Sequence, residues 1–129
     1  MAIPVVVEPQ IQKDAGDCVI ICLSMVFGIP YVRVCEEAIK IKSDACQKGL
    51  TTKEMMRVAR ALGKSLLSLP IQDLQLESET GILDVRKKRA WHAVVLFEGS
   101  VYNPADGLLY TLDAYLSSSK AVPQRFFRP

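Results

Sequence analysis

The chain has one histidine, His92, and four cysteines, so any nucleophilic chemistry must be assembled from these few groups. Cys18 stands apart because it directly follows Asp17, a good helix N-cap, and so opens a helix. A thiol there feels the positive end of the helix dipole and unpaired backbone N–H groups, which favour thiolate. An imidazole beside it makes the sulfur a nucleophile at neutral pH and later protonates the leaving amine. Asn103 ends the strand that follows the His92 strand, where it can hold the ring in the tautomer that presents the correct nitrogen to sulfur. Gln12, upstream of Cys18, can donate its side-chain N–H to an oxyanion together with the backbone N–H of Cys18. Cys22, Cys35 and Cys46 read instead as small core residues, and Trp91 also reads as core.

The elements that must position these groups follow from periodicity. The first seventeen residues, with two prolines and mixed polarity, look like an extended lead-in. Cys18 to Phe27 reads as a helix that Asp17 opens and Gly28, followed by Pro30, stops. It is apolar on all sides and must therefore lie inside the domain. Tyr31 to Lys42 places Tyr31, Val34, Cys35, Ala38 and Ile41 on one helical stripe, with Pro30 at its start. Thr51 and Glu54 have capping-box spacing ahead of a face made by Met55, Val58, Ala59 and Leu62, and Gly63 ends that helix.

Strands then take over: Ser65 to Leu69, Ile82 to Val85, Trp91 to Phe97, Val101 to Asn103, Leu108 to Tyr110 and Val122 to Phe127, with a short helix from Thr111 to Leu116. The Trp91–Phe97 run barely alternates, which implies burial on both faces. Glu98-Gly99-Ser100 is a tight turn, Lys87-Lys88-Arg89 a solvated one, and Arg125 to Arg128 reads as an edge strand. Helices first and antiparallel strands second make one α+β domain spanning residues 1–129.

Several of these segments together resemble a family. Asp17-Cys18 and Leu23-Ser24-Met25-Val26-Phe27-Gly28, with Gln12 upstream, are similar to the nucleophile segment of the bacteriocin-processing, double-glycine-type papain-like cysteine peptidases. Gly49-Leu50-Thr51-Thr52, His92-Ala93-Val94-Val95-Leu96 and Val101-Tyr102-Asn103-Pro104-Ala105-Asp106-Gly107 resemble its middle, histidine strand and following turn. The resemblance implies a papain-like fold with Cys18 as nucleophile, His92 as base, Asn103 as orienting residue and Gln12 as oxyanion donor. The family's orienting residue is usually Asp, where this chain has Asn103, and Asp106 is the fallback if Asn103 points away. The chain has Val19 where the family commonly has Gly after the nucleophile.

The expected function is thiol-dependent hydrolysis of a peptide or isopeptide bond, with a peptide or protein as substrate. A catalytically silent papain-like module that binds peptides or proteins is the alternative. A peptidoglycan hydrolase of the NlpC/P60 kind fits less well, because it usually wants a second polar residue and export. A net charge of +2 gives no reason to expect nucleic acid or an anionic membrane as partner. The longest apolar run, Val19 to Phe27, is too short to span a bilayer and lacks the flanks of a signal peptide, so a cytoplasmic protein with free thiols is expected. With one histidine and no Cys-x-x-Cys pair, neither a zinc site nor any other cofactor is expected.

Overall fold

A computed structural model describes residues 17–72, 74–88 and 90–129. The elements run α1 (Cys18–Phe27), α2 (Tyr31–Ile41), α3 (Ala45–Lys48), α4 (Thr52–Ala61), β1 (Leu67–Pro70), β2 (Thr80–Lys87), β3 (Ala90–Phe97), β4 (Ser100–Asn103), β5 (Leu108–Thr111), α5 (Leu112–Ser119) and β6 (Val122–Arg128). Among the described residues six strands form one antiparallel sheet in the order β1-β6-β2-β3-β4-β5. The architecture is α+β, as the segregation of helices and strands predicts.

The helix α1 is buried over most of its length, with Ile20, Ile21, Cys22 and Leu23 fully enclosed. It packs on β3 and β2 on one side and on α2 on the other. Asp17 holds the N-cap position, yet its side chain makes no cap bond. Its Oδ2 instead accepts from the Tyr31 hydroxyl at 2.7 Å, which ties the start of α1 to the start of α2. Gly28, at φ 65°, closes the helix. The capping box on α4 is complete: Glu54 N–H donates to Thr51 Oγ1 at 3.2 Å, and Thr51 N–H donates to Glu54 Oε1 at 2.8 Å. Between α2 and α4 the short helix α3, which no periodicity marks, brings the Cys46 sulfur to 3.5 Å from that of Cys35.

The sheet is covered on both faces. Ile82, Ala93, Val95 and Phe127 join the core beneath the helices α1, α2 and α4. Leu83, Val85, Val94, Leu96 and Phe126 join a second core with Leu112 and Tyr115 of α5. Two-sided burial of Ala93–Leu96 explains why β3 does not alternate in polarity. The β3–β4 hairpin turns through Glu98 and Gly99, both at positive φ (47° and 88°), the geometry that matches the twist of the two strands.

Two expectations are corrected. The segment Arg125–Arg128 is no edge strand: β6 lies between β1 and β2, and Phe126 and Phe127 are fully buried, one on each face. Adjacent aromatic residues need cover on both sides, which an interior strand supplies. Trp91 is not core either, being 62% exposed, because β3 begins beyond the reach of α1. Smaller differences concern lengths: β1 starts at Leu67, β2 covers Thr80–Lys87 and α5 reaches Ser119.

At Gly81 on β2 a Cβ would collide with the Phe127 carbonyl oxygen and lie 2.8 Å from the Phe126 ring. Gly81→Ala is expected to cost about 2–3 kcal/mol by overpacking, measured as a lower urea midpoint at unchanged m-value.

Candidate functional site

Cys18 is positioned by the start of α1 where that helix meets the sheet, and the backbone N–H groups of Ala93 and Val19 lie near enough to its sulfur to favour the thiolate. Ala93 immediately follows His92 on β3, so one stretch of strand supplies both an imidazole and a donor to the sulfur. Cys18 and His92 line the same cavity of about 440 Å³. Its remaining walls come from Val19, from Lys42 after α2, from Lys48 through Thr52 between α3 and α4, from Asp84 on β2, and from Trp91 and Ala93 on β3.

The histidine tautomer follows from its partners. Asn103 Oδ1 accepts from the backbone N–H of Ala105 at 3.1 Å, so that atom is the amide oxygen and not the nitrogen. The same oxygen lies 2.8 Å from His92 Nε2, which must then carry the hydrogen. The Nδ1 atom keeps its lone pair as the basic nitrogen. Asn103 is itself buried at the end of β4, so the pair is screened from water. Asp106 has other work: its carboxylate accepts from Leu108 N–H at 2.9 Å and from the Tyr110 hydroxyl, which closes the turn into β5. Asn103, not Asp106, is therefore the residue that holds the ring.

The titration behaviour differs from the sequence expectation. Burial pushes the Cys18 thiol up, and the charges of Asp84 and Asp17 push the same way, against the lowering by Ala93 and Val19 N–H groups. Burial likewise pushes His92 below its ordinary value, opposed by the Asn103 bond. Desolvation outweighs the helix terminus in the free protein, so Cys18 rests as a thiol and His92 as a neutral imidazole.

Asp84 is the group that sequence reading missed. It faces the helices from β2, opposite Ala93, and lines the cavity. Burial pushes its carboxyl up to about 6, only partly offset by a 3.5 Å bond from Thr52 Oγ1. An isolated acid inside Ile82-Leu83-Asp84-Val85, an otherwise apolar strand, was the available signal.

Gln12, the expected oxyanion donor, lies outside the described residues. Among the described residues there is no group of three or more His, Cys, Asp or Glu side chains able to hold a metal ion, and no helix is long and apolar enough to cross a membrane. Comparison of the sequence with protein-family models and with curated proteins finds no match.

Two measurements probe this geometry. The single histidine gives one unambiguous set of imidazole ¹⁵N signals; they should report the neutral Nε2–H tautomer and a midpoint below the ordinary value, and Asn103→Ala should mix the tautomers. The second concerns Asp84. Because its folded carboxyl titrates above the unfolded one, its contribution to stability is full in acid and lost as pH rises through about 6. Asp84→Asn should therefore stabilise the protein by on the order of 2 kcal/mol at pH 8, with the gain shrinking at pH 4, as read by thermal unfolding.

Proposed function

We propose that the protein is a papain-like thiol hydrolase that cleaves an amide bond of a peptide or isopeptide, with Cys18 as nucleophile, His92 as base and Asn103 as orienting residue. The observation that carries this reading is one cavity lined by Cys18, at the start of a buried helix, and by His92, whose Nε2 is held by Asn103 at 2.8 Å. That bond leaves the basic nitrogen free for a thiol proton, the arrangement a nucleophile–base–orienter site requires.

The steps follow from these groups. The Cys18 sulfur attacks the carbonyl carbon while its proton passes to Nδ1 of His92. The unpaired N–H groups at the start of α1 face the negative charge that develops on the carbonyl oxygen. The imidazolium then protonates the leaving amine, and the C–N bond breaks to leave a thioester. Water attacks the thioester as His92 takes its proton, which releases the acid and restores the thiol. Because the resting pair is neutral, proton transfer accompanies attack and does not precede it.

The raised Cys18 thiol favours a second reading, a silent module that binds a peptide in the same cavity. Turnover of fluorogenic peptide amides separates the two. The hydrolase reading expects an acyl-enzyme on Cys18 by intact mass, none in Cys18→Ala, and about a 10²-fold loss of kcat in Asn103→Ala, equivalent to about 2.7 kcal/mol. Peptides bound without any acylation of Cys18 would leave only the binding module.

A further inference from the structure

We propose that Asp84 is the recognition group for a cationic side chain, lysine or arginine, on the peptide whose amide Cys18 attacks; this inference rests on the hydrolase reading above. Asp84 lines the cavity that holds Cys18 and His92. Among the described residues it has no ion-pair partner, only the 3.5 Å bond from Thr52. A half-buried carboxylate without a counter-ion, in a cavity open to ligand, is incomplete until a cation arrives.

The neighbouring positive charges do not fill this role. Lys42 Nζ donates to the Gly49 carbonyl at 3.0 Å and lies 3.9 Å from Glu54. Lys48 lies 3.8 Å from Asp44. Arg125, the cross-strand neighbour of Asp84 on β6, donates to Ser68 Oγ. Each is engaged elsewhere, which leaves Asp84 as an attractive site for a positive charge.

The rest of the cavity suits a long cationic side chain. The exposed indole of Trp91 and the Leu50 side chain offer apolar cover for a methylene stem, and an indole face also attracts a cation. Recognition and chemistry are coupled through Asp84. Its charge opposes ionisation of Cys18, and a bound ammonium or guanidinium cancels that opposition as the substrate is seated.

The test uses peptidyl acyloxymethyl ketones, which alkylate an active-site thiolate with loss of the carboxylate leaving group. Matched probes carry lysine, arginine or norleucine, either at the residue bearing the ketone or at the one before it. Labelling rates of Cys18 at pH 7.5 are read by intact mass and peptide mapping. The lysine or arginine probe should react about tenfold faster than the norleucine probe at one of the two positions. In Asp84→Asn that preference should vanish while the norleucine rate is kept or raised, which also shows that the site is folded. Equal rates in the unaltered protein, or a preference that survives Asp84→Asn, overturn the role of Asp84 alone. Labelling of Cys18 no faster than of Cys22, Cys35 and Cys46 overturns the hydrolase reading and this inference with it.

Discussion

A helix without a polar face has to be enclosed, and the enclosure of α1 organises this molecule. Ile20, Ile21, Cys22 and Leu23 point in successive directions around the axis, and none meets water. One side is closed by β3 and β2, and the other by α2. The core beneath α1 is shared with α4, whose exposed side carries the charged residues Lys53, Arg57 and Arg60. The helix α4 thus turns a polar surface outward, whereas β2 and β3 carry the second apolar core on their far face.

The cavity sits where that enclosure ends. The first residue of α1 is the last that the sheet can cover, since β3 starts just beyond it with the exposed Trp91 and half-buried His92. A thiol at this margin is dry enough to be pushed up yet still reachable. The same half-burial acts on His92 and Asp84 and disfavours the charged form of each, although a carboxyl near 6 is still largely ionised at neutral pH.

Much of this frame was legible in the sequence, because the local signals were strong and complete. Thr51 with Glu54 gave a capping box, Gly28 a helix stop, and Glu98-Gly99-Ser100 a tight turn, each fixed by a few backbone angles. His92 and Asn103 were placed one strand apart, and the diagonal that joins them is a consequence of that hairpin register. What escaped was non-local or a balance of forces. The place of β6 depends on which strands compete for its edges, although the adjacent Phe126 and Phe127 already demanded two covered faces. The short α3 has too few residues to show a period. The direction in which Cys18 titrates required weighing a helix terminus against desolvation and two nearby carboxylates, and burial cannot be read from residue types alone. Asp84 gained its meaning only when the sheet set it opposite Ala93.

The strand order also governs how the chain can assemble. Among the described residues the one strand paired with β1 is β6, although more than fifty residues separate Leu67 from Val122. A growing chain can pair β2 with β3 and β3 with β4 through short hairpins, but residues 67–70 stay outside the sheet until residues 122–128 have emerged. Phe127 belongs to the core around α1, so that core also stays incomplete while the polypeptide is still being made. Closure of the sheet is thus a late and long-range event, of the kind that slows folding and prolongs exposure of apolar surface.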